Sequence, residues 1–104
     1  MKELFDIIDR IALEIKKIWI EMAKIETPSD DKESIDSLVE FLFSYATKLG
    51  FKPVVHPFCD SGNGLVITSE TETELQPVAL MAHMDTVHKK GLLEKHRLLR
   101  KMDF

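Results

Sequence analysis

The string Ala82-His83-Met84-Asp85-Thr86-Val87-His88 sets an imidazole and a carboxylate two residues apart, directly after the apolar run Val78-Ala79-Leu80-Met81-Ala82. In extended backbone, residues two apart point to the same side, so His83 and Asp85 share one face. A carboxylate placed there can hold one ring nitrogen of the histidine and leave the other for a metal ion, the usual support of a zinc-bound histidine. The same spacing also suits a histidine whose hydrogen bonds are purely structural, and spacing alone leaves both readings open. His88, five residues after His83, faces the other way in an extended chain and is a poor second ligand. Cys59 lies three after His56, with nothing nearby in sequence to activate a thiol, and reads as a small turn or core residue. Gly62-Asn63-Gly64 has no lysine and is too short for a phosphate loop, so it reads as a turn.

These groups need elements to hold them. Lys2 to Ile25 is predicted as one long helix, because Leu4, Ile8, Ile11, Ile15, Ile18, Met22 and Ile25 alternate spacings of four and three. Ile7 and Trp19 widen the stripe, which favours a helix lying on a core, with Trp19 and Met22 as core residues. The regular spacing also fits a coiled-coil dimer. Pro28 ends that segment, and Ser29 or Asp30 is placed to cap the next helix, with Glu33 completing a capping-box spacing from Asp30. The second helix is predicted from Asp31 to Leu49, with Ile35, Leu38, Val39, Leu42, Ala46 and Leu49 inward and Gly50 as its stop. Three strands are expected to follow. They are Phe51 to Phe58 (an edge strand, given Pro53), Leu65 to Ser69, and Pro77 to Ala82. The third has no polar alternation, as expected of a central strand covered on both faces. Its carboxyl end, where His83 and Asp85 fall, is where open α/β sheets bind ligands. Helices ahead of such a sheet indicate a layered α/β unit.

Composition narrows the function classes. The chain has 104 residues, a size for one domain, with 44% hydrophobic and 31% charged residues. No apolar run is long enough to span a membrane. A single cysteine cannot form an internal disulfide, which favours a reducing, cytoplasmic setting. The net charge of −4 argues against nucleic acid as the main partner. That charge is unevenly spread: residues 1–87 carry a net −8, and residues 88–104 a net +4.

Leu80-Met81-Ala82-His83-Met84-Asp85-Thr86-Val87 resembles the zinc-ligand motif of a family of co-catalytic zinc hydrolases. That family includes acetylornithine deacetylase, succinyl-diaminopimelate desuccinylase, aminoacylase and the glutamate carboxypeptidases. Its motif reads roughly apolar-x-Gly-His-x-Asp-Thr-Val, and this chain has Ala82 where glycine is common. The amphipathic first helix, Thr27-Pro28-Ser29 ahead of a second helix, and Gly62-Asn63 opening a strand agree with the same resemblance, which spans residues 1–90. The resemblance implies a zinc exopeptidase-like fold, of which this chain would hold an incomplete layered catalytic domain. His83 would then be a zinc ligand, and Asp85, the catalytic-site residue, would orient the His83 ring and raise its basicity. It also implies two zinc ions bridged by an aspartate, a glutamate general base, and hydrolysis of an amide bond beside a free carboxylate. The substrate would be a small peptide or N-acyl amino acid. Zinc would supply hydroxide near neutral pH by lowering the pKa of bound water to about 7.

The family's remaining ligands and its general base lie beyond the matched stretch. Residues 91–104, with Leu92, Leu93, Leu98 and Leu99 among basic residues, do not resemble the family and coincide with the charge reversal. The expectation is a truncated hydrolase fragment with a non-homologous basic tail, as a frameshift would produce. Alone it would bind zinc weakly and lack activity, and it would self-associate through uncovered apolar surface. The alternative, from another class, is a small non-enzymatic interaction protein that dimerises through its first helix.

Overall fold

The computed structural model describes residues 1–69 and 74–91. The tail expected from residue 92 onward, and residues 70–73 of the acidic loop, lie outside the described residues. Two helices are followed by a two-stranded antiparallel sheet: α1 (Lys2–Ala23), α2 (Lys32–Lys48), β1 (Lys52–His56) and β2 (Gly64–Thr68). The architecture is thus mixed α and β.

The core forms around α2. Asp31 is its N-cap, where Oδ1 accepts the Ser34 amide at 3.1 Å and the Ser34 hydroxyl donates back to Oδ2 at 2.8 Å. The expected caps, Ser29 and Asp30, are two and one residues too early, because Asp31 satisfies both the Ser34 amide and its hydroxyl. At the other end, Gly50 takes φ +90°. Its amide bonds Thr47 O, and the Phe51 amide bonds Ala46 O. This pair of reversed bonds closes the helix and requires a left-handed residue at position 50, which glycine adopts without strain.

Ile35, Leu38, Val39 and Ala46 form the buried apolar face of α2, with Val39 only 1% exposed. That face packs on β1 and β2, whose Pro53, Val55 and Leu65 are the half-buried positions. Register pairs Val55 with Leu65 and Lys52 with Thr68. The connecting turn is pinned to α2 by Asn63. Its side-chain oxygen accepts from the Phe58 amide at 3.1 Å and Lys32 Nζ at 2.8 Å, and its amide donates to Asp36 Oδ1 at 2.7 Å. Lys32 and Asp36 are themselves paired at 2.9 Å. Gly62 lies flat against Ile35, and a Cβ there would overlap the isoleucine side chain.

Two expectations are corrected. Pro77 to Ala82 is not a strand. Its residues are irregular and open, with Val78 87%, Leu80 95% and Met81 94% exposed. The sequence pattern encodes cover on two faces, but β1 and β2 pair only with each other among the described residues, and no backbone partner reaches the run. Likewise α1 is not a core helix. None of its residues is buried, and Leu4, Ile8, Ile11, Ile15 and Trp19 are all about half exposed. It meets the body near its carboxyl end and through the Tyr45 hydroxyl, which donates to Glu14 Oε1 at 3.2 Å. Partial burial and the Glu14 carboxylate raise the Tyr45 pKa.

Leu38→Ala should lower the unfolding free energy by about 2–5 kcal/mol, read by urea denaturation, because it opens a cavity in the small core under α2. Acid should destabilise the same region. The Asp31 carboxyl is held below its ordinary range first by the Ser34 hydroxyl and amide, and that of Asp36 first by the Asn63 amide and then by Lys32. Depressed folded values give stability that is fully present above the unfolded aspartate pKa of about 3.9 and is lost as pH falls below it. The melting temperature followed by circular dichroism should therefore drop through this window, and less steeply in an Asp31→Asn, Asp36→Asn variant.

Candidate functional site

His83 and Asp85 come together as the sequence predicts, although no strand delivers them. Their positioning comes from a strap to the linker between α1 and α2. Pro28 and Thr86 form an isolated parallel bridge. The Thr86 amide donates to Thr27 O at 2.7 Å, and the Ser29 amide donates to Thr86 O at 3.1 Å. A parallel bridge uses the groups on either side of the central residue, so the missing amide of Pro28 costs nothing here. Thr27, 3% exposed, adds its hydroxyl, which donates to Met84 O at 2.7 Å. Farther along, the Gly91 amide donates to both Glu26 carboxylate oxygens, at 3.0 and 2.9 Å, and Lys90 reaches Asp31 Oδ2 at 3.3 Å.

The strap fixes the site's acid. Asp85 Oδ2 accepts the Ser29 hydroxyl at 2.6 Å, and this bond is the main reason the Asp85 carboxyl stays below its ordinary pKa. Its Oδ1 lies 3.4 Å from His83 Nδ1, and the same nitrogen is 2.9 Å from the Asp85 backbone oxygen. A carbonyl oxygen can only accept, so this contact places a proton on Nδ1. In the neutral ring that leaves the Nε2 lone pair bare, on a side chain 86% exposed. This is the tautomer a metal-binding histidine uses.

A cavity of about 450 Å³ opens beside His83, with Trp19, Met22, Leu38 and Leu42 on its apolar walls and His88 and Lys89 also lining it. Trp19 and Met22 therefore face open space here, whereas the pattern predicts core positions. Cys59 is exposed in the turn after β1, and His56 is exposed on β1 itself. The structure does not bring either of them to His83.

Zinc sites normally take about four ligands, with three from protein in catalytic sites. His83 is a suitable first donor, but among the described residues no three His, Cys, Asp or Glu side chains converge to hold a metal. The described donor set does not fit a complete zinc centre, and no hydrolytic step follows from it. No family model, curated protein or solved structure matches this chain.

Sequence reasoning missed the strap. Ser29 reads as a helix cap, yet its hydroxyl holds Asp85, and Thr27 holds the backbone two residues earlier. The available signal was Thr27-Pro28-Ser29 itself, with two hydroxyls flanking a residue that cannot donate. Thr27→Val should raise hydrogen exchange at the Thr86 amide about three- to tenfold by NMR, because losing the buried hydroxyl bond weakens the strap by about 1 kcal/mol.

Proposed function

We propose that this chain carries the first-ligand corner of a zinc-dependent amidohydrolase or peptidase domain, one that cleaves an amide bond beside a free carboxylate. In this reading His83 Nε2 is the zinc ligand, and Asp85 is a positioning residue that holds the ring's other side. A small peptide or N-acyl amino acid is the substrate of the complete site. When bound, zinc would polarise the scissile carbonyl and make hydroxide available near neutral pH. What the chain's own residues do is orient. Ser29 fixes Asp85, the Asp85 backbone and carboxylate fix Nδ1, and the strap fixes both relative to α2.

One observation carries this reading: the 2.9 Å contact between His83 Nδ1 and the Asp85 backbone oxygen, which engages that nitrogen and leaves Nε2 as the one available to a metal on an exposed ring. The motif around His83 and the order of two helices ahead of a hairpin support the same reading. The fold proposed for the complete domain is the zinc exopeptidase-like one, with residues 1–90 as its amino-terminal part and 91–104 as a basic appendage.

With one imidazole donor, zinc affinity should be weak, about millimolar, since complete four-ligand sites yield about 10–16 kcal/mol and a single ligand only a fraction of that. No amide hydrolysis is expected from the chain alone. Titration with Co²⁺ should broaden the NMR ring resonances of His83 before those of His56, His88 and His96, and His83→Gln should abolish that preference. Equal broadening of His83 and the other three histidines, His56, His88 and His96, would sink the proposal. Stoichiometric tight zinc with peptidase turnover would overturn the expected inactivity.

A further inference from the structure

We propose that Asn63 is a site of spontaneous deamidation by its own backbone, and that the fold promotes the reaction by polarising the side-chain carbonyl. The proposal stands on observations separate from His83. Asn63 is the chain's only asparagine, and Gly64 follows it. A glycine amide nitrogen can approach the preceding side-chain carbon, Cγ, because no Cβ of its own crowds the approach. The structure holds the Asn63 side chain in one orientation. Its Oδ1 accepts the Phe58 amide at 3.1 Å and Lys32 Nζ at 2.8 Å. Both donors are aimed at the oxygen on which negative charge gathers when Cγ is attacked, the arrangement that stabilises tetrahedral intermediates of acyl transfer. Among the described residues no partner holds Nδ2, the nitrogen that must leave. A second nucleophile, Lys32 Nζ, is also near, but its ion pair with Asp36 at 2.9 Å keeps it an ammonium with no lone pair to give.

The reaction needs only solvent water besides the chain. The Gly64 nitrogen bonds to Asn63 Cγ and gives up its proton, and the carbonyl electron pair moves onto Oδ1. That pair returns as the Cγ–Nδ2 bond breaks, and Nδ2 leaves as ammonia with the proton. Water then opens the cyclic imide at either carbonyl. One opening gives aspartate, the other isoaspartate, in which the main chain runs through Cγ and is longer by one atom. The added atom falls between the Asn63 amide, bound to Asp36 Oδ1 at 2.7 Å, and Gly64, paired with His56. The pin on α2 and the hairpin register then no longer fit together. Isomerisation therefore loosens the hairpin that covers the apolar face of α2, in one direction only.

The test follows the purified full chain by peptide mass spectrometry at about 37 °C, from about pH 6 to 9. The proposal expects ammonia loss and then a net gain of about 1 Da, confined to the peptide that contains Asn63 and faster at the alkaline end, where the amide nitrogen gives up its proton more readily. Gly64→Ala should slow the gain about tenfold by crowding the nitrogen. That variant keeps the fold, because the new Cβ would meet the Phe58 and His56 side chains at 3.5 and 3.7 Å, ordinary contact distances. Lys32→Met should slow the gain about three- to tenfold by withdrawing one donor from Oδ1. Lys32 is the first residue of α2 and its side chain is 37% exposed, so the core is untouched. An Asn63 peptide unchanged after weeks at the alkaline end overturns the proposal, as does a Gly64→Ala rate equal to the parent's. A Lys32→Met chain that reacts as fast as the parent, or faster, overturns the polarising role. A lasting loss of about 17 Da that joins the Lys32 and Asn63 peptides also overturns it, because Lys32 would then be the nucleophile.

Discussion

Everything in the site depends on the bridge between Pro28 and Thr86. Residues 74–91 follow the hairpin with no strand or helix of their own, and they are tied back to the body at the linker between the two helices. The bonds that tie them join residues more than fifty positions apart, so closing that loop costs chain entropy before any contact is gained. The return is a cluster of short bonds centred on the buried Thr27: Thr27 to Met84, Thr86 to Thr27, and, on the exposed side, Ser29 to Thr86. Pro28 suits this place for a physical reason. It stops α1 from continuing, it is buried, and it sits at the one position of a parallel bridge whose own amide is not called upon.

Around the strap, the chain has more apolar pattern than it has cover. Among the described residues, helix α2 is the only element whose apolar face is buried, because the hairpin lies directly on it. The stripe of α1 and the run Val78 to Met81 are as apolar as that face and lie largely open. Hydrophobic patterning states which side chains require burial, not which surface will bury them. That explains how a helix and a strand predicted by the same logic fared differently: α1 closes its own backbone hydrogen bonds residue by residue and forms without a cover, whereas a strand needs a neighbour to accept and donate, and among the described residues none reaches residues 77–82.

The same distinction sets what was legible in the sequence. Both helices and both strands of the hairpin could be placed from periodicity and breakers. Gly50 was placed at the close of α2 because only a left-handed residue completes those reversed bonds. The cap slipped from Ser29 or Asp30 to Asp31 because three neighbouring oxygens compete for the same amides, and only the geometry of Ser34 decides among them. His83 and Asp85 could be paired from a two-residue spacing that extended chain enforces. Ser29 and Thr27 could not, because their partners lie some 57 residues away and no local pattern announces a contact at that separation.

Two deficits in the described structure fall in the same place. Among the described residues His83 is not joined by two further donors that could complete a metal site, and it lines a cavity with the apolar walls Trp19, Met22, Leu38 and Leu42. A polypeptide surface that filled this cavity would gain apolar burial from those walls, and any acidic or imidazole side chain at its edge would stand next to His83. Burial and ligation are then coupled, since each contact that covers the cavity also lowers the cost of ordering a second donor. The strap matters to both. It holds the backbone that carries His83 beside the cavity and engages Nδ1 with Asp85, so a second donor would meet a ring already oriented.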